Sequence, residues 1–112
     1  MNTCQLFCIP LKPDCLAAFL AFSETTRAEK ADEWKAMLAR YDISSVKTWH
    51  KEIAGRETIF VYHDTGPDFS EKIASWNEST HPFDQWFNSQ LTTLYDEGAT
   101  DSLATPIVEM YV

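Results

Sequence analysis

The stretch His50 to Asp64, HKEIAGRETIFVYHD, decides the fold. Two runs rich in β-formers, Val46 to Ile53 and Glu57 to His63, flank Ala54-Gly55-Arg56. A glycine in a short break between such runs is the signature of a hairpin. A two-residue Ala54-Gly55 loop pairs Ile53 with Arg56, Trp49 with Phe60 and Val46 with His63. Because side chains alternate across a strand, one face carries Trp49, Ile53, Phe60 and Tyr62. The other carries Val46, Thr48, His50, Glu52, Ile59, Val61 and His63. Neither reads as an ordinary solvated surface.

Working outward, Cys4 to Leu11 reads as a strand with Leu6 and Cys8 on one side and Phe7, Ile9 and Leu11 on the other, so it is central and buried on both faces. Pro10 lies at its exit and Pro13 suits the first turn of a helix. The following amphipathic stripe, Leu16, Phe19, Leu20, then Ala31, Trp34, Leu38 and Tyr41, predicts a long helix lying on a sheet. The capping-box pattern Thr26-Arg27-Ala28-Glu29 predicts a bend near Ser23 to Thr26, after which the helix restarts. Beyond the hairpin, Asp68-Phe69-Ser70-Glu71 is a second capping box that starts a short helix to about Trp76. A further helix runs from near Pro82 to about Glu97, and Thr105 to Val112 reads as a last strand. The order is β-α-β-β-α-β, with one domain spanning 1–112.

Composition narrows the function classes. The 112 residues, 45% apolar and 13% aromatic, suit one modest core. A net charge of -8, with no Lys or Arg after Lys72, disfavours nucleic acid and anionic membranes. No apolar run approaches the roughly 18 residues of a membrane helix, and Met1-Asn2-Thr3 lacks the positive start of a secretory signal, so a cytosolic location is expected. Cys4 and Cys8 on one strand cannot reach each other for a disulfide or a shared metal and read as small core hydrophobes, whereas Cys15, just inside the first helix, is a lone thiol without a paired histidine nearby in sequence and a weak nucleophile signal.

A four-stranded antiparallel sheet with helices on one side leaves its second face bare, and apolar residues there imply a cover, most simply a second copy of the chain. This order of elements resembles the ferredoxin-like dimeric α+β barrels, in which two sheets pack face to face. Lys12-Pro13-Asp14 opening the first helix, the hairpin around Gly55, and Ser79-Thr80-His81-Pro82-Phe83-Asp84 before an aromatic last helix resemble an uncharacterised bacterial family of small proteins with this fold. The resemblance implies the fold and no particular activity. Glu109-Met110-Tyr111 is similar to the closing strand of the L-rhamnose mutarotases. Laying Pro13-Asp14 on the start of their first helix puts Ser23 where a histidine acid-base is expected and Phe19 where a tyrosine is expected. A serine without a base does not move a proton near neutral pH as imidazole does.

The polar residues admit two readings. His81, Pro82 and Asp84 fit the N-cap, N1 and N3 positions of a helix, with the Asp84 carboxylate favouring the dipole. Alternatively, Asp84 orients His81 as a general base at the mouth of a barrel. His50, with Glu52 nearby, is a further candidate acid-base. His50 and His63 lie about 13 Å apart along the hairpin and cannot share a metal within it, so no metal and no cofactor is expected. Trp49, Phe60, Tyr62 and Trp86 are the candidate lining of an apolar pocket. The reading is a cytosolic homodimer that binds a small, partly apolar molecule between sheet and helices. The alternatives are a cofactor-independent isomerase, lyase or monooxygenase, and a structural or partner-binding dimer with a dry interior.

Overall fold

The computed structural model describes residues 3–96 and 101–102. It is an α+β unit in which strands β1 (Thr3–Pro10), β2 (Ile43–Ile53) and β3 (Arg56–Thr65) form an antiparallel sheet. The register of the hairpin is the one read from the loop: Ile53 faces Arg56, Trp49 faces Phe60 and Val46 faces His63. Its turn places both Ala54 (φ 51°) and Gly55 (φ 79°) in the left-handed region, as a type I′ connection between twisted strands requires. β1 pairs with β3 on one side, with Phe7 opposite Val61 and Ile9 opposite Ile59. On its other side Phe7 and Cys8 meet a two-residue strand, β4 (Asp101–Ser102), giving the order β2-β3-β1-β4. The expected strand Thr105 to Val112 lies outside the described residues.

Four helices accompany the sheet: α1 (Leu16–Arg27), α2 (Ala31–Arg40), α3 (Phe69–Ile73) and α4 (Pro82–Leu94), with a 3₁₀ turn at Trp76–Glu78. The long first helix is broken, but the break falls at residues 28–30 and α2 is capped by Lys30 without a side-chain bond. Thr26 is not a cap. It is 3% exposed inside α1 and its Oγ1 donates to the Phe22 carbonyl at 2.9 Å, because a hydroxyl turned towards the interior satisfies itself on the preceding turn. Asp68 occupies the N-cap of α3, yet its side chain makes no cap bond. Its backbone N-H instead donates to Asp42 Oδ2 at 2.9 Å. Gly66 lies so close to that carboxylate that an added Cβ would overlap Asp42 Oδ2. The α4 start is as read, with His81 at the N-cap and Pro82 at N1.

Among the described residues, the buried core clusters lie between the sheet and the helices. One cluster joins Leu11, Phe19, Phe22, Ile59 and Leu94, and the second joins Met37, Tyr41, Ile43, Phe69 and Phe83. Alternation along β1 and β3 turns Ile9 and Ile59 towards the helices, and it turns Leu6, Cys8, Phe60 and Tyr62 away from them. Those four are half-buried and belong to neither cluster. Trp49, directly across from Phe60, is 54% exposed. All three cysteines are free. No helix among the described residues is long and apolar enough to cross a membrane.

Candidate functional site

A cavity of about 630 Å³ lies between the helix-facing side of the sheet and helices α1, α2 and α4. Its floor is Phe7 and Ile9 of β1, Val46 and Thr48 of β2, and Ile59 and Val61 of β3; its roof includes Phe19, Phe22, Met37, Leu38 and Phe87. The residue sizes account for the space. Aromatic rings of the helical layer pack on one another: Phe22 on Phe87 at 5.1 Å, Trp34 on Phe87 at 5.3 Å and Phe22 on Trp86 at 5.5 Å between centroids. Opposite them the hairpin offers short side chains, Val46, Thr48 and Val61, which do not fill what the rings leave.

This is the hairpin face that carries His50, Ile59 and His63, not the face of Phe60 and Tyr62. Of the four pocket residues expected from sequence, only Trp49 borders the cavity. Phe60 and Tyr62 point to the opposite side, since they alternate with Ile59, Val61 and His63 along β3. Trp86 is packed into the aromatic layer against Phe22 and Phe83, with Lys30 Nζ 4.8 Å above its ring. On that opposite side, the hydrogen bond to Asp64, then burial, push the Tyr62 phenol up to about 12.

Several polar groups on the cavity wall are committed elsewhere. Thr26 bonds Phe22, the Tyr41 hydroxyl donates to Asp84 Oδ2 at 2.7 Å, and Arg27 Nε donates to the Ser23 carbonyl at 3.2 Å. His50 Nε2 contacts Glu57 Oε2, so its carboxylate partner is Glu57 across the hairpin and not Glu52. Burial raises the Tyr95 phenol above its ordinary range. His63 differs from the others. Its ring stands edge-on to Phe7 at 5.5 Å and Phe69 at 6.3 Å, and its Nδ1 is buried with no hydrogen-bond partner. Burial pushes the imidazole down to about 4, so the ring is neutral at neutral pH. Sequence reading placed His63 on this face but gave it no role; an imidazole among Ile59, Val61 and Phe7 was the available signal.

The second expected site separates into two parts. Asp84 is 1% exposed, and its carboxylate is held by Arg40 Nη2, by the Tyr41 hydroxyl at 2.7 Å and by the Ser79 hydroxyl at 2.7 Å. Burial pushes this carboxyl up, but the bonds from Ser79, Tyr41 and Arg40 outweigh it and hold the group below the usual carboxylate range. His81 is exposed and borders a polar hollow of about 440 Å³ with Arg40, Lys72 and Ser79. The expected pairing is therefore corrected: Asp84 ties the end of α2 to the start of α4, and its oxygens are occupied by three donors other than the His81 imidazole. Arg40 and Tyr41 lie 44 and 43 residues away in sequence, and no spacing rule connects them to Asp84.

Among the described residues no group of three or more His, Cys, Asp or Glu side chains gathers as a metal site. Comparison with protein-family models finds no match, and no curated protein matches the chain.

Proposed function

We propose that this chain is a ferredoxin-like unit of the dimeric α+β barrel type, and that each protomer binds a small, partly apolar molecule in the cavity between sheet and helices. The cavity carries the reading. Its volume of about 630 Å³ falls inside the range of ligand sites, about 300–1,000 Å³, and its wall is apolar with a few polar groups. The strand order β2-β3-β1-β4, antiparallel throughout, supports the fold assignment. It also fits the resemblance of the Ser79 to Asp84 segment to the uncharacterised bacterial family. Leu6, Cys8, Phe60 and Tyr62 on the side away from the helices support a second copy as the cover, since a sheet face of this composition is stabilised by removal from water.

Two measurements test the two halves. Sedimentation of the protein at micromolar concentration is expected to show a dimer, and Phe60→Glu is expected to give a folded monomer; a wild-type monomer refutes the self-association. Thermal unfolding with and without acetylnaphthalene, a compact aromatic probe, is expected to show stabilisation of the wild type. Val61→Trp, which fills the floor of the cavity, is expected to abolish that stabilisation while the protein remains folded. An equal shift in both proteins places binding elsewhere and overturns the cavity assignment.

A further inference from the structure

We propose that His63 is the polar anchor of the cavity and donates its Nε2-H to the carbonyl oxygen of a neutral, otherwise apolar occupant, an aryl or alicyclic ketone or quinone. The proposal rests on the cavity being a ligand site and names the chemistry of what enters it.

Three observations converge on this residue. The Thr26 hydroxyl, the Tyr41 hydroxyl, Arg27 Nε and His50 Nε2 are engaged by Phe22, Asp84, Ser23 and Glu57. His63 lines the same wall with Nδ1 sealed and unpartnered. A neutral imidazole carries one proton, and a buried orphan acceptor is tolerated better than a buried orphan N-H. The bare nitrogen is therefore Nδ1, and Nε2 carries the proton and is a donor available to an occupant on the floor of the cavity. Phe7 and Phe69 hold the ring edge-on from two sides, at 5.5 and 6.3 Å, so the donor is preorganised. From His63 the floor continues through Val61 to Ile59, four residues or about 13 Å of strand, which suits an apolar body with its oxygen at one end.

Charge selects against an acid. A buried carboxylate needs a cation beside it, and the one guanidinium on the cavity wall, Arg27, is exposed, with Nε already given to Ser23. The chain's net charge of -8 further disfavours approach of an anion.

The test compares acetylnaphthalene, ethylnaphthalene and naphthoate by calorimetric titration against wild type, His63→Phe and His63→Gln. One hydrogen bond predicts that wild type binds the acetyl compound about fivefold more tightly than the ethyl compound. That ratio is expected to fall to about one in His63→Phe, with ethyl binding retained, and to recover in part in His63→Gln, which keeps an N-H donor. The Nε2 resonance of His63 in ¹⁵N NMR is expected to shift with the acetyl compound only. Equal binding of the two neutral compounds by wild type, persistence of the preference in His63→Phe, or tightest binding of naphthoate would overturn the anchor while leaving the cavity as a site. Failure of every compound to bind any of the proteins removes the cavity reading itself.

Discussion

Burial of His63 makes stability depend on pH in a direction and window that one substitution isolates. Its imidazole is pushed from an ordinary value of 6.5 down to about 4 by desolvation. Above pH 6.5 the ring is neutral in both the folded and the unfolded chain and contributes no pH dependence. As pH falls from 6.5 towards 4, the unfolded chain binds a proton that the folded chain refuses, so stability is lost across that interval and levels off below it. Between pH 7.5 and 4.5 the loss from this group is about 2.5 kcal/mol, a sizeable part of the stability of a small domain. His63→Phe keeps a flat ring against Phe7 and Phe69 and removes the titration. Urea unfolding followed by tryptophan fluorescence, at several pH values and one protein concentration, gives both stabilities. The variant is expected to gain about 2.5 kcal/mol on the wild type between pH 7.5 and 4.5. Carboxylates common to both proteins cancel in the difference, including Asp84, whose folded-state carboxyl titrates below the usual range. Parallel pH profiles would refute the assignment of a buried neutral imidazole.

Asp84→Ala strands Arg40 and the Tyr41 and Ser79 hydroxyls, and is expected to cost about 3 kcal/mol by denaturant unfolding, because removing one partner of a buried ion pair leaves the other uncompensated. Tyr41→Phe removes one bond from the same carboxylate and is expected to cost about 1 kcal/mol; the double variant is expected to cost less than the sum of the two. In the hairpin, Ala54 takes a left-handed conformation that favours asparagine. Ala54→Asn is accordingly expected to stabilise by about 0.5 kcal/mol, read as a rise in the urea midpoint, and a lower midpoint would contradict the turn assignment.

The hairpin was legible to the residue. A two-residue turn leaves one register, and a period of two then assigns every side chain to a face. Which face holds the cavity was not legible, because both are apolar and the eye follows the large aromatics. Large aromatics fill space. The empty volume sits above Val46, Thr48 and Val61, and it depends on how Phe22, Trp34 and Phe87 of three helices stack across it. The break in the first helix was visible as a turn within a few residues of its place. Its cause was misread, since a threonine four residues after Phe22 serves equally as a cap or as a buried group bonding backwards. The N-terminal geometry of α4 was read correctly from His81-Pro82, whereas the role of Asp84 depends on α2 and therefore on tertiary packing.

Alternation along β3 also separates the two halves of the functional reading. Phe60 and Tyr62 belong to the side away from the helices, and Ile59, Val61 and His63 belong to the cavity. The proposed second subunit concerns the former side alone. The floor and roof described for the cavity, and the His63 ring on its wall, come from elements of this chain. Under the proposed function, self-association and ligand binding would draw on interleaved residues of one strand, so that Phe60→Glu and Val61→Trp test them separately. In the proposed dimer the sheet that would present Phe60 to a partner is also the floor that positions His63, so covering its outer side would restrain the wall against which an occupant would rest. Such a restraint favours binding by lowering the ordering cost of the wall, and it requires no contact between the partner and the occupant.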